Sequence, residues 1–131
     1  MARSKQPLLG RRGEACGAGR VRQRDPRERD DKHLAFVRGL PCLVCMNNIE
    51  TEAAHVRMSD ERAAKQNPGV GQKPHDYWVV PLCSNCHRHQ HEVGEISFWD
   101  MAAIDPIAVA PWLYLVSGDQ QAGERIIRAQ H

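Results

Sequence analysis

The sequence lacks any apolar run of the roughly 18–20 residues that a helix needs to cross a membrane. Its first residues, MARSKQPLLGRRGEACG, also lack an apolar stretch long enough for a secretory signal. These two absences predict a cytoplasmic protein with no membrane partner. Thiols stay reduced in that compartment, so we expect paired cysteines to bind metal rather than to form disulfides.

The chain also lacks a strong overall charge, because 18 lysines and arginines nearly balance 16 aspartates and glutamates among its 131 residues. The distribution is uneven: residues 1–31 contain nine basic and five acidic residues, whereas the remainder contains nine and eleven. Residues 1–31 also have almost no bulky apolar side chains, so they cannot bury enough surface to offset the entropy of ordering. We therefore predict a flexible basic arm at 1–31 and one folded domain at 32–131.

Local patterns in the middle of the chain predict two strands flanked by helices. The strands are TEAAHVR at 51–57 and YWVVPL at 77–82, and the prolines and glycines of residues 58–76 predict a long loop between them. A helix is expected before the strands in DKHLAFVRGL, with Asp31 as its cap, and another after them from Ser84 to about Val93. The fold class is therefore predicted to be α+β.

The C-terminal part of the chain, residues 95–130, is predicted to be helical. Asp105 followed by Pro106 is a typical helix start, and Pro111, about one turn later, is expected to kink that helix or shift its start. Three aromatic residues lie at helical spacings in apolar surroundings, and we expect them in the core. They are Trp99, Trp112 and Tyr114.

Four of the five cysteines form two C-x-x-C pairs, in PCLVC (41–45) and LCSNC (82–86). Two residues between thiolates let a tight turn direct both sulfur atoms at one point, and two such turns supply the tetrahedral shell that Zn²⁺ favours. The spacing predicts a structural zinc ion, since four thiolates leave no position for substrate. Free buried cysteines or a redox pair are the alternative. Cys16 is left without a partner. The predicted zinc ligands are Cys42, Cys45, Cys83 and Cys86.

The histidines near the second cysteine pair indicate a different site. In the predicted helix, His87 and His91 are four positions apart, which places two imidazoles on one face about 5–6 Å apart, close enough to bind one ion. His55 lies in the first predicted strand, ten residues after the first cysteine pair. A solvent-exposed histidine pair without a ligand is the alternative.

Taken in order, PCLVC, AAHV, YWVVPLC and SNCHRHQH resemble the HNH, or ββα-metal, nuclease motif in its four-cysteine zinc form. The resemblance covers about 41–93, less than half of the chain. The H-x-x-x-H spacing followed by Gly94 is similar to that of colicin-type DNases, and the run from Gly71 through LCSNCHRHQH is similar to small phage-associated nucleases of this superfamily. The resemblance implies a small zinc-stabilised ββα-metal finger, treble-clef-like, with additional C-terminal helices at 95–130.

The resemblance also implies a reaction, the metal-dependent hydrolysis of phosphodiester bonds in DNA by an endonuclease. His55 would be the general base that takes a proton from the attacking water. His87 and His91 would hold one divalent cation that stabilises the transition state. Imidazole ligands suit Mn²⁺, Ni²⁺ or Zn²⁺ better than Mg²⁺, and an added carboxylate would widen the choice.

Two positions depart from the family pattern. The residue before the base, where many members carry an acidic or histidine metal ligand, is Ala54, and the position of the loop asparagine is Trp78. Asp76 lies two residues from that position, and we expect it to serve as a third metal ligand or as the group that fixes the His55 loop. A turn-capping role for Asp76 is the alternative.

Cations near the site are expected to contact the phosphates of DNA, although a solvated surface charge is the alternative for each of them. The candidates are Arg57, Arg88 and Lys73. The partners expected from the resemblance are DNA and other components of a phage or DNA-processing assembly. The alternative function is a non-catalytic zinc module that binds nucleic acid or a protein partner, in which positions 54 and 78 mark a lost site.

Overall fold

A computed structural model describes residues 29–60 and 75–131 of the chain. Its elements confirm the predicted α+β class, with a two-stranded sheet and five helices in the described ranges. Along the chain they are α1 (Asp31–Arg38), β1 (Thr51–His55), β2 (Val79–Cys83), α2 (Ser84–Val93), α3 (Glu95–Ala102), α4 (Pro106–Leu115) and α5 (Gln120–Arg128). None of the described helices is long and apolar enough to cross a membrane. Lys73, Cys16 and residues 1–28 of the predicted arm lie outside the described residues.

The two strands pair antiparallel, with Thr51 opposite Cys83 and His55 opposite Val79. All five residues of β2 are buried, which explains its continuous apolar sequence, whereas only Ala54 is buried in β1. Both strands are shorter than predicted. β1 ends at His55, and the backbone N–H of Val56 still donates to the carbonyl of Trp78 at 2.8 Å.

Helix α1 begins one residue earlier than predicted, because Asp30 and not Asp31 caps it. The Asp30 carboxylate accepts a hydrogen bond from the His33 backbone N–H at 3.0 Å. The described body therefore extends into the segment that the sequence assigned to the arm. Leu34 and Val37 are buried beside Val79, so α1 covers the face of the sheet that carries Val79 and Ala53.

The C-terminal helices form the rest of the core. Asp105 caps α4 by accepting from the Ile107 N–H at 3.0 Å, as predicted, and α4 continues through Pro111. Trp99 is buried at 3 % exposure, but Trp112 is 60 % and Tyr114 39 % exposed, so their predicted core positions are wrong. Helix α4 is apolar on all sides and packs through the face that carries Val109, Ala110 and Leu113, which leaves Trp112 pointing away from the core. Sequence spacing alone cannot tell which apolar face is covered.

Candidate active site

The structure brings the two C-x-x-C pairs together. Cys42 and Cys45 lie in the turn after α1, and Cys83 and Cys86 lie where β2 passes directly into α2. The four Sγ atoms all lie within 4.8 Å of one another, and Cys45 Sγ is 3.6 Å from Cys83 Sγ. A tetrahedral zinc–thiolate shell with bonds of about 2.3 Å needs sulfur atoms about 3.8 Å apart. The cluster therefore fits a metal ion such as zinc.

Local hydrogen bonds hold the two cysteine turns in this arrangement. The Cys42 N–H donates to the Asn47 carbonyl at 2.8 Å, which closes the first turn. The Leu43 N–H donates to the Pro81 carbonyl at 2.8 Å and joins that turn to β2. Cys83, the residue before the predicted start of this helix, caps α2, because its Sγ accepts from the Cys86 N–H at 3.5 Å.

The pKa values of two of the clustered thiols are shifted in opposite directions. Burial raises the pKa of Cys86 strongly, and its thiol neighbours raise that pKa further. Burial also acts to raise the pKa of Cys83, but hydrogen bonds from Cys86 and the other thiols outweigh burial and lower it. Several thiolates at this spacing repel one another, and a bound divalent cation removes that repulsion and displaces the remaining protons.

A separate cleft of about 710 Å³ is lined by the predicted general base and both predicted cation ligands. β1 and the chain after it contribute His55 and Arg57, which are two positions apart and so face the same side of extended backbone. Helix α2 contributes His87 and His91, whose ring centroids are 4.9 Å apart. The strand pairing and the start of α2 directly after Cys83 bring His55 of β1 and the two histidines of α2 to the same cleft.

His55 is held by a buried carboxylate. Its Nε2 lies 2.9 Å from Asp76 Oδ1, and Asp76 is only 1 % exposed. A carboxylate can only accept, so the Nε2–H donates, and the nitrogen that could take a proton is Nδ1. The second oxygen of Asp76 accepts from the Asp30 backbone N–H at 2.8 Å. The geometry favours the role that fixes His55 over the third-ligand role.

Asp30 is in turn fixed by the C-terminal helices. The Tyr114 hydroxyl donates to Asp30 Oδ2 at 3.3 Å, and the buried His33 ring lies beside Tyr114 with its Nδ1 2.8 Å from Ser117 Oγ. Burial lowers the pKa of His33, although the nearby Asp30 and Asp76 act in the opposite direction. His33 is therefore neutral, and it lies near Asp30 and Asp76, the two residues whose contacts support His55.

Glu52, which is not among the predicted site residues, orients one of the predicted cation ligands. His87 Nδ1 donates to Glu52 Oε1 at 2.6 Å, which directs the opposite nitrogen, Nε2, to any bound ion. Within residues 29–60 and 75–131, the four cysteines are the one group of three or more His, Cys, Asp or Glu side chains close enough to share a metal ion. In the cleft, His87 and His91 are therefore the two candidate ligands of a cation, and Asp76 does not lie close enough to both of them to share it.

A family model described as "Protein of unknown function (DUF968)" matches residues 21–100, which is more than half of the chain. This protein belongs to the DUF968 family. The matched region spans α1, both strands and α2, so it contains all four clustered cysteines and the histidines of the cleft. A search of curated proteins and a search of solved structures found no match. The family description names no activity, and a function for this DUF968 protein has to be argued from its site.

The predicted phosphate contacts of this DUF968 protein separate into two cases. Arg57 lines the cleft, and its backbone N–H donates to Glu95 Oε2 at 2.8 Å. Arg88 does not line the cleft, and its guanidinium donates to Asn85 Oδ1 at 2.7 Å on the exposed side of α2. Ala54 faces the core at 1 % exposure, and the Trp78 ring contacts Tyr77 edge to face.

Asp76→Ala is expected to lower the free energy of unfolding by about 1–3 kcal/mol, because the substitution removes a buried acceptor from the part-buried Asp30 N–H and from the His55 ring. Urea unfolding at a fixed zinc concentration measures this change. Asp100→Ala, which removes an exposed carboxylate on α3, is the matched control and should change stability by less than about 0.5 kcal/mol. Equal stability of the Asp76 variant and wild type would contradict the supporting role of Asp76.

Proposed function

We propose that this DUF968 protein is a metal-dependent endonuclease that hydrolyses phosphodiester bonds of DNA. The observation that carries the proposal is the shared cleft, in which a candidate base on β1 and a candidate cation pair on α2 line the same space. The order of cysteine turn, strand, strand, cysteine turn and helix supports a zinc-stabilised ββα-metal finger, treble-clef-like. In this proposal the zinc ion is structural, since four thiolates close its shell.

His55 is the proposed general base. Asp76 holds its Nε2–H, which fixes the tautomer and the ring orientation and presents Nδ1 as the proton acceptor. A near-neutral imidazole suits removal of a proton from the water that attacks the phosphorus atom. Asp76 is therefore a positioning residue for His55. It replaces the loop asparagine of the resembled nuclease superfamily, whose position in this sequence is Trp78.

His87 and His91 are the proposed ligands of a divalent cation, and Glu52 orients the first of them. When bound there, the cation would neutralise charge on the phosphate and stabilise the leaving 3′ oxygen. Two imidazoles suit Mn²⁺, Ni²⁺ or Zn²⁺, and Mg²⁺ less well. The remaining coordination positions would be filled by water and by the substrate. Action within a phage or DNA-processing assembly is part of the proposal that rests on the resemblance alone.

One observation favours the second candidate, a non-catalytic zinc module that binds nucleic acid or protein. The described part of the cleft offers a cation two imidazoles and no third clustered ligand, and Ala54 stands where many relatives of the resembled superfamily carry one. A binding module would keep the cysteine cluster and the cleft but would not cleave DNA. The two candidates therefore differ in a single measurable property, which is the hydrolysis of DNA.

Nicking of supercoiled plasmid by the purified zinc-loaded protein tests the proposal, with Mg²⁺, Mn²⁺, Ni²⁺ or Zn²⁺ added in turn. We expect nicking that depends on the added cation. His87→Ala is expected to raise the cation concentration needed for half-maximal nicking by about 10–100-fold, because one of two protein ligands is lost while the fold stays intact.

His89→Ala is the matched control, since His89 lies on the same helix, is exposed and does not line the cleft. Its cation dependence should equal that of wild type. If His87→Ala and His89→Ala respond to the cation identically, the assigned ligand pair is wrong. If no cation produces nicking above the background of a mock purification, the non-catalytic module is the better description.

A further inference from the structure

The cleft has a further wall that the proposed catalytic residues do not explain. The residues from the N-terminal side that line it are Arg29, Asp31, Leu34 and Arg38. Asp31, Leu34 and Arg38 are three and four positions apart and so form one face of α1. Both α1 and α2 pack against β1, so the cleft lies between two helices with the strand as its floor.

This wall adds positive charge to the cleft. Arg29 and Arg38 are exposed, and neither makes an ion pair within the described ranges. With Arg57 they give the lining three guanidinium groups, against the two carboxylates of Asp31 and Glu95. A guanidinium in the last turn of a helix interacts favourably with the helix dipole, and this effect alone can explain an arginine at position 38. It cannot explain Arg29, because Arg29 precedes the helix.

We propose that α1 forms the second side of a groove for a nucleic-acid strand, with Arg29 and Arg38 binding phosphates on either side of the scissile one. Arg29 precedes α1 and Arg38 lies in its last turn, and the helix rises about 10 Å between residues 31 and 38. The two guanidinium groups therefore stand at opposite ends of α1 and reach different phosphates, and each can bind phosphate oxygens through two parallel hydrogen bonds. The inference rests on the proposed function for its substrate class and adds the residues that position the strand.

Binding of a fluorescent DNA duplex, measured by anisotropy between 0.05 and about 0.2 M salt, tests the groove. The titrations use the His55→Ala background so that cleavage does not consume the probe. Arg29→Gln and Arg38→Gln are each expected to weaken binding about tenfold at about 0.1 M salt and to reduce the slope of log Kd against log salt by about 0.9. Arg38→Lys keeps the charge and should keep the slope.

Arg125→Gln is the matched control, because Arg125 is exposed on α5 and lies outside the cleft lining. Its affinity and salt slope should equal those of the background protein. Unchanged binding in both groove variants, alongside cation-dependent nicking by wild type, would overturn the groove and leave the nuclease proposal standing. Arginine-dependent binding by a protein that never nicks DNA would support the groove and contradict the nuclease. If Arg125→Gln weakened DNA binding as much as Arg29→Gln and Arg38→Gln do, the assignment of DNA binding to α1 would be wrong.

Discussion

Cys83→Ala is expected to leave the domain unfolded at any zinc concentration. Cys83 lies buried at the end of β2, caps α2 through its Sγ and contributes one of four clustered thiols, so the substitution removes the cap and a thiol together. Structural zinc sites contribute about 10–16 kcal/mol of binding free energy, which is comparable with the entire stability of a typical domain, about 5–15 kcal/mol. Far-UV circular dichroism and the zinc content per chain measure the outcome.

Two further variants separate loss of the ion from loss of packing. Cys45 is exposed, so Cys45→Ala removes a ligand without opening the core and should still lower the zinc content and the melting temperature. Cys16→Ala removes the one cysteine outside the C-x-x-C pairs and should change neither quantity. If Cys45→Ala melts at the temperature of wild type with zinc present, the cluster does not stabilise the fold through a metal ion.

The parts of this structure that could be predicted depend on short-range geometry. The C-x-x-C spacing fixes where two sulfur atoms point, and Asp105 with Pro106 starts α4 because both the cap and the proline act within one turn. The spacing of His87 and His91 likewise needs only the helical repeat. These features form wherever the local backbone forms, so the sequence is sufficient to predict them.

The supporting contacts could not be predicted because they depend on how distant elements meet. Glu52 reaches His87 only because β1 and α2 are brought side by side by the pairing of Thr51 with Cys83. No periodicity in α1 signals that its Arg38 faces a cleft. The sequence indicates Asp76 only by its nearness to the loop-asparagine position of the resembled nucleases, whereas its hydrogen bonds to Asp30 and His55 depend on the fold.

His55→Ala is expected to reduce cation-dependent nicking by at least about 100-fold, the lower end of what a positioned general base contributes. The ring is partly exposed, at 15 %, and the variant should therefore fold and keep its zinc. Initial rates of plasmid nicking, compared at equal protein and zinc content, measure the effect. The same residual rate in wild type and His55→Ala would indicate a contaminating nuclease and would remove the support for catalysis by this protein.

A double-variant cycle tests whether Asp76 acts through His55. If Asp76 only orients the ring, Asp76→Ala should lower the nicking rate in the wild-type background but add no further loss in His55→Ala, because residues that act as one unit are not additive. The pH dependence supplies an independent readout, since removal of the carboxylate that stabilises the imidazolium should move the acidic limb of kcat/KM, which the general base governs, to lower pH. A full additional loss in the double variant would mean that Asp76 acts on the reaction by a route that does not include His55.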